Sequence, residues 1–261
     1  MTTTWLLERD VFSDHHDRLA DAAAGVGHSV VDWDDSWWDS GAFPELEGQV
    51  LFHGSLGNAD RIARELSWLP GAYCSTDGFA CTAWYEGASR WLVHKQWAKA
   101  TVQQFVNHPD KVLSEFGGAT QFFVRPNSPL KPFSGRVLDV DQLSLEALDH
   151  GFYYDDTGIE IVVAPVRNVG NEWRYVVIDK VVVTGSSYEA NSRTESGDSW
   201  KGEPLALAEL IAREIPPPER VYVLDVCECE GELKLLELNP FSGADLYACD
   251  REVIVRKLGL L

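Results

Sequence analysis

Basic residues are scarce in this chain. Across 261 residues, 22 lysines and arginines face 41 aspartates and glutamates, for a formal charge of −19. A protein that grips duplex nucleic acid needs a cationic face to displace counterions, so nucleic acid is excluded as a partner. No polybasic stretch is present to hold an anionic membrane surface, and no apolar run reaches the roughly 20 residues that cross a bilayer. The N-terminal MTTTWLLERDVF has neither a positive leader nor a long apolar core, so no signal peptide or anchor is expected there. The five cysteines (Cys74, Cys81, Cys227, Cys229 and Cys249) are sparse and odd in number. They read as reduced, buried thiols and make the cytoplasm the expected location. Cys227 and Cys229 are two apart, which shares a strand face but is not the C-x-x-C spacing of zinc or redox motifs. What remains, at 45% hydrophobic and 24% charged, is the composition of a packed acidic α/β protein.

Strand and helix patterns alternate at first. Residues 3–7, 28–33 and 49–53 read as strands, with helices over 14–24 (capped by Ser13 or Asp14) and 58–69, and 70–73 as a further short strand. That alternation predicts a small parallel α/β unit. The Gly54-Ser55-Leu56-Gly57 turn precedes a helix, where anions are well received, but it lacks a full phosphate-loop pattern and reads as a tight turn. Residues 78–116 read as mostly helical, broken at Asn107-His108-Pro109-Asp110. Five β-rich runs follow between 119 and 188, separated by short turns, and predict an antiparallel sheet. Residues 189–202 are polar and read as a mobile loop; a helix over 204–214 and two last strands, 220–229 and 232–238, complete the chain. The boundary is expected between 90 and 118, dividing the chain into 1–95 and 96–261.

The last hairpin carries the chemistry. Asp225 lies in one strand, and Glu237 and Asn239 end the next, with a Glu230-Gly231 turn between. An antiparallel return brings the two acids together, and Glu237 and Asn239 share a face. Two carboxylates and an amide oxygen are hard ligands suited to Mg2+. The alternative is a pair of solvated outer-face acids. The apolar neighbours Val221, Val223, Leu235, Leu236 and Leu238 speak against it, because acids inside such runs need charge partners. Upstream stand Arg125, Lys131 and the pair Glu172 and Arg174 around Trp173; a cationic group in so acidic a chain suggests a bound anion. Trp33, Trp37 and Trp38 read as a stacking surface for a sugar or base, as core cover or as a partner patch, and His94, Lys95 and Trp97 as residues near the domain junction that reach a second substrate.

The ordered set FFVRPNSPLKPFSG, IVVAPV, NEWRYVVIDKVVV, SSY and VYVLDVCECEGELKLLELNPFSG resembles the ATP-grasp superfamily, over about residues 119–250. It is most similar to short members in which an arginine replaces the first phosphate-binding lysine. The resemblance implies an α/β (α+β) ATP-grasp fold: a small parallel N-terminal domain over 1–95, and antiparallel subdomains over 96–261 that bind nucleotide and carry catalysis. It implies ATP and Mg2+ as cofactors, with Asp225, Glu237 and Asn239 as metal ligands. Arg125 and Lys131 would meet the phosphates, and Val163, Ala164 and Val166 would form the hinge that reads the base. Pro165 has no N–H, so Val166 is the expected donor. Glu172 is implied for the ribose or for orienting a lysine, Arg174 for the transferred phosphoryl group, and Tyr188 for the cleft wall. The glycine-rich flap of usual length is missing between Arg125 and Gly135, so the lid comes from residues 126–135 or from 189–202.

The implied reaction joins a carboxylate to an amine through an acyl phosphate, as a carbon–nitrogen ligase acting on small-molecule or peptide substrates, with Arg125, Lys131 and Arg174 as the catalytic cations. A phosphotransferase on the same fold needs the same metal site, and a nucleotide-binding module without turnover is a third possibility. A homodimer is a possible assembly.

Overall fold

The computed structural model describes residues 2–12, 15–148, 155–189, 194–197 and 199–261. The first 71 residues build a parallel sheet in the order β2-β1-β3-β4, from β1 (Thr3–Leu7), β2 (Ser29–Asp32), β3 (Gln49–His53) and β4 (Leu69–Gly71), with α1 (His15–Gly25), α2 (Ser36–Ser40) and α3 (Leu56–Glu65) between them. The N-terminus of α3 is fixed by the Ser55 side chain, which accepts from the Asn58 N–H. The Glu8 carboxylate accepts from the Ser55 N–H at 2.7 Å. An acid of the protein itself therefore occupies the spot where this turn would take an anion. The cap expected from Ser13 or Asp14 lies outside the described residues.

Two antiparallel sheets follow. The first is ordered β5-β8-β6-β7, from β5 (Ala98–Thr101), β6 (Gln121–Pro126), β7 (Arg136–Asp139) and β8 (Glu160–Pro165); the second is ordered β11-β10-β9-β12-β13, from β9 (Val169–Ile178), β10 (Val181–Glu189), β11 (Thr194–Ser196), β12 (Val221–Cys229) and β13 (Glu232–Pro240). The helices of this part are α4 (Cys81–Trp84), α5 (Val102–Asn107), α6 (Pro109–Leu113), α7 (Glu203–Glu214) and α8 (Arg251–Leu258). Three expectations change. Residues 78–116 are not mostly helical: β5 lies among them, because its alternating AKAT pairs with β8 along the free side of that strand. The five β-rich runs do not make one sheet, since β6 to β8 stay in the first and β9 and β10 join the final hairpin. Within 189–202, Thr194–Ser196 is a strand paired to β10, while residues 190–193 and 198 lie outside the description.

β12 reads as a near-continuous apolar run because both its faces are covered. Tyr222, Leu224 and Val226 pack with Ala208, Ile211 and Ala212 of α7. Val221 and Val223 pack with Ile254, Val255 and Leu258 of α8 and with Trp5, Leu7 and Leu51 of the parallel sheet. The N-terminal unit thus shares a core with the final hairpin. The seam is drawn tight just past β13, where Gly54 N–H donates to the Ser242 carbonyl at 2.8 Å and the Ser242 hydroxyl accepts from Tyr73 N–H at 2.9 Å. Among the described residues no helix is long and apolar enough to cross a membrane.

Gly243 sits in that seam, and a Cβ there would lie 2.2 Å from Leu56 Cδ2 and 3.3 Å from the Leu56 backbone. Gly243→Ala is expected to destabilise by about 1–3 kcal/mol through overpacking. Gly57→Ala, one residue beyond Leu56 with open space around it, should stabilise by about 0.5–1 kcal/mol. Chemical-denaturation midpoints of the two variants check this pair.

Candidate functional site

The register of the second antiparallel sheet brings three strands to one point. Asp225 of β12 stands opposite Glu237 of β13 on one side and Arg174 of β9 on the other. Directly paired residues project to the same face, so acid, acid and guanidinium form a row. A register shift between Asp225 and Val226 then pairs Val226 with Leu235. Leu236 is the extra residue, the kind of local bulge that re-aims side chains beside sites.

Every group in this row is held. Arg174 donates Nε to Asp225 Oδ1 at 2.9 Å and Nη2 to Oδ2 at 2.7 Å, a bidentate pair, and Nη1 to the Asp245 carbonyl at 2.7 Å. The Asn239 amide nitrogen donates to Asp225 Oδ2 at 3.0 Å and to Glu237 Oε1 at 2.9 Å. The three residues proposed from sequence as metal ligands therefore converge within hydrogen-bond distance, and the solvated-acid alternative is not what the chain builds. Asp225 and Asn239 are only 4% and 5% exposed.

The opposite wall belongs to the first antiparallel sheet. Arg125 of β6 reaches across, its Nη1 2.9 Å from Glu237 Oε2, and Lys131 Nζ stands 3.4 Å from Glu237 Oε1. The turn carrying Lys131 is pinned by Asn127. Its side-chain oxygen accepts from Thr82 N–H at 3.0 Å, and its Nδ2 donates to Thr82 Oγ1 at 3.2 Å and Glu160 Oε2 at 3.1 Å. Leu130, beside Lys131, packs against the same core around Trp33 and Phe52 that Trp37, Trp38, Phe43 and Trp68 pack against, so those tryptophans cover a core of the N-terminal unit.

The charges of the site are tuned by these neighbours. Burial alone would raise the Glu237 carboxyl, but Lys131 and Arg125 with the Asn239 hydrogen bond hold it well below the usual carboxylate range. Burial pushes Asp225 upward against the pull of Arg174. Burial would lower the Arg125 and Arg174 guanidiniums, yet their acidic neighbours, Glu237 and Asp225 among them, hold both above their ordinary value. Glu172, on the same face as Arg174, is pushed up to about 7 by burial and by the charges of Asp225 and Glu237, with Arg174 opposing.

Beyond the polar row, β9, β12 and β13 become apolar. Val93, Cys227, Cys229, Val169 and Leu236 form a small cluster; the cysteines are free and buried. Across from them Phe123 pairs with Ala164 of β8. Val166, the expected hinge donor, follows β8 and is partly exposed. Tyr188, expected on the cleft wall, stacks on Tyr247 with centroids 5.3 Å apart, and Tyr247 in turn covers the Arg174 guanidinium at 4.3 Å. Tyr247, Asn127 and the Asp245 carbonyl were not legible in the sequence. They lie in turns, and their contacts come from elements distant in the chain. Of the junction residues, Trp97 packs edge-on against Tyr85 at 5.4 Å, Lys95 lines a 240 Å3 cavity with Arg167, Glu230 and Lys234, and His94 lies against Phe123 at 4.9 Å.

Glu172 yields a test with a definite sign. Its folded pKa of about 7 lies above its ordinary 4.5, so between those values the folded chain binds a proton that the unfolded chain has lost. Stability from this group therefore falls as pH rises through that window. Glu172→Gln should raise the melting temperature by a few degrees at pH 8 and by progressively less toward pH 4.5. Equal gains at both ends, in melting curves recorded across the range, would show that the carboxyl is not strained by its surroundings.

No curated protein matches this chain. Solved structures resemble it at low identity. D-cycloserine synthetase DcsG aligns with a TM-score of 0.64 at 15% identity, covering 99% of each chain. ATP-grasp ligase PsnB, complexed with a minimal precursor, aligns with a TM-score of 0.58 at 12% identity, again covering 99% of each chain. D-alanine–D-alanine ligase from Bacillus anthracis, complexed with ATP, aligns with a TM-score of 0.55 at 14% identity, covering 92% of this chain and 86% of that one. These likenesses carry the fold. The model of an ATP-grasp domain family, family 3 of its clade, matches residues 30–258, and the chain belongs to that ATP-grasp family.

Proposed function

We propose that this protein is an ATP- and Mg2+-dependent ligase that joins a carboxylate to an amine. One observation carries the reading: both walls of the cleft change character in the same direction. On one wall Asp225, Glu237 and Asn239 give way to Cys227, Cys229 and Leu236. On the other, Arg125 gives way to Phe123 and Ala164. A polar, cation-rich end that continues into a flat apolar end suits a nucleotide, phosphates at one end and base at the other.

The donor set fits Mg2+. Two carboxylates and an amide oxygen are hard ligands, and Mg2+ takes its remaining oxygens from water and phosphate; the Asn239 amide, whose nitrogen bonds both acids here, would turn its oxygen to the ion. Asp225, Glu237 and Asn239 would hold the ion, which would neutralise phosphate charge and polarise the transferred phosphoryl group. Arg125 and Lys131 would move from Glu237 onto the phosphates, and Arg174, fixed by Asp225 and Tyr247, would stay as a rigid cation for the incoming carboxylate. Ala164 and the Val166 backbone would face the base and Glu172 the ribose, whereas the Val163 side chain turns to the opposite face of β8, into the core with Phe122 and Val124.

In the first step a substrate carboxylate oxygen attacks the γ-phosphorus and the bond to ADP breaks, giving an acyl phosphate and ADP. In the second, the amine attacks the acyl carbon, inorganic phosphate leaves, and the amine loses one proton. Both steps bring anions together, so positioning and preorganised positive charge supply most of the acceleration. The structural relatives named above as ligases and a synthetase support this class. The PsnB complex with its precursor keeps peptides, beside small molecules, within the substrate range. Buried free thiols and a requirement for ATP suit a cytoplasmic setting.

Mg-ATP should raise the melting temperature of the wild type and leave that of Glu237→Ala nearly unmoved; equal shifts would dismiss the metal assignment. In an ADP-release screen over pooled amino acids, amines and short peptides, the matching acceptors should accelerate turnover, and Asn239→Ala should lower it about a hundredfold or more. Product analysis separates the rival reaction: a new amide with free phosphate marks the ligase, a phosphorylated acceptor the phosphotransferase. Arg174→Lys should also lose most activity, because an ammonium cannot make the bidentate pair that orients the guanidinium.

A further inference from the structure

The chain that leaves β13 crosses the face of β9 and β10 on which Arg174 lies. Thr184, Ser186 and Tyr188 alternate along β10 and so share that face, with Ser186 paired to Arg174 and Tyr188 to Glu172. The crossing chain is tied to them in turn. Asp250 N–H donates to Thr184 Oγ1 at 3.0 Å, and Ala248 N–H to Ser186 Oγ at 3.3 Å. Arg174 donates its Nη1 to the Asp245 carbonyl at 2.7 Å. Tyr247 lies between these ties.

Tyr247 has a left-handed backbone, with a φ of 47°. That region is uncommon outside glycine, asparagine and aspartate, and a bulky side chain there is strained. An Asx turn imposes it: the Asp245 carboxylate accepts the Tyr247 N–H at 2.9 Å. The ring stacks on Tyr188, 5.3 Å between centroids and 16° between planes, and covers the Arg174 guanidinium at 4.3 Å. Asparagine or glycine would take the same backbone with less strain, but neither supplies a ring. Strain held at a site points to a use for the group that it delivers.

Arg174 shows that use. A guanidinium has five N–H groups. Here Nε and one N–H of Nη2 go to Asp225, and one N–H of Nη1 goes to Asp245. One N–H on each terminal nitrogen is left for an oxyanion, and its direction depends on what holds the plane of the group. Asp225 is one holder, but in the reading above it also serves a cation, and a cation shared with Arg174 weakens that hold. The Tyr247 ring and the Asp245 carbonyl have no such second duty. The ring bars the guanidinium from turning out of its plane, and the carbonyl fixes its remaining corner.

We propose that Tyr247 is a positioning residue: its ring holds Arg174 so that the two remaining N–H groups point to where the carboxylate oxygen and the γ-phosphorus meet, and its left-handed backbone is kept because it delivers that ring. The inference rests on the nucleotide reading above and goes further, by giving a role to a residue outside the motifs read from the sequence. Tyr247→Asn suits the backbone and removes the ring; Tyr247→Phe keeps the ring. In titration calorimetry, aluminium fluoride, which stands in for the phosphoryl group in transfer, should tighten the binding of Mg-ADP to the wild type. Tyr247→Asn should lose about tenfold or more of that tightening while binding Mg-ADP alone within about twofold of the wild type, and Tyr247→Phe should retain it.

A second readout needs no nucleotide. In protein labelled with 15N-arginine, the Arg174 guanidinium should give separate, slowly exchanging Nη resonances in the wild type and in Tyr247→Phe, and averaged ones in Tyr247→Asn. A ring that only packs would lower the melting temperature of Tyr247→Asn and leave both the tightening and the resonances as they are; that result overturns the assignment while nucleotide binding stands. Averaged Nη resonances in the wild type, or a wild type whose hold on Mg-ADP aluminium fluoride does not tighten, overturn it as well. A wild type that does not bind Mg-ADP overturns the assignment and the nucleotide reading together.

Discussion

Glu237 keeps its negative charge inside the protein because donors from the other antiparallel sheet, from the turn that follows β6 and from its own strand converge on it. They are Arg125, Lys131 and Asn239 in that order. A buried carboxylate without such partners would take up a proton. The bonds of Asn127 to Thr82 and Glu160 hold the start of the turn from which Lys131 reaches Glu237.

The neighbouring pair, Arg174 with Asp225, is built differently. Both residues lie on adjacent strands in direct register, so the ladder itself sets their separation, and Tyr247 closes the guanidinium from above. A bidentate pair locked by backbone pairing is preorganised. Arg125 and Lys131, by contrast, extend from the opposite wall. The site thus combines one cation fixed by strand pairing with two that reach Glu237 from β6 and the turn after it. The His94 ring spans between the two antiparallel sheets beside the small apolar cluster.

How far the sequence could be read depended on the range of the interactions involved. The hairpin of Asp225, Glu237 and Asn239 was legible because a single turn and a period of two place all three. The parallel unit was legible from alternating patterns at short range. The split into two antiparallel sheets was not, because the β-rich runs look alike locally and their partners are chosen by distant strands. β5 was hidden for the same reason: four residues of mixed polarity become a strand only when β8 offers a free edge. The tryptophans around residue 38 were legible as cover for a core, but that the core is the one around Leu6, Val50 and Phe52 was not, and nothing local showed that His94 would stack on Phe123.

By itself, the sequence determined the acidic character of the molecule, the lack of an apolar run long enough for a membrane-spanning helix, and the hairpin that gathers two acids and an amide, since these follow from composition and from contacts a few residues apart. Only the tertiary structure decided which cations meet those acids, that Tyr247 and Asn127 support them, and that the His94 ring crosses from one sheet to the other. Such contacts join residues from 29 positions apart, His94 to Phe123, to 106 apart, Lys131 to Glu237. Neither partner's local sequence holds a trace of the other; only the shared burial of the folded core brings them together.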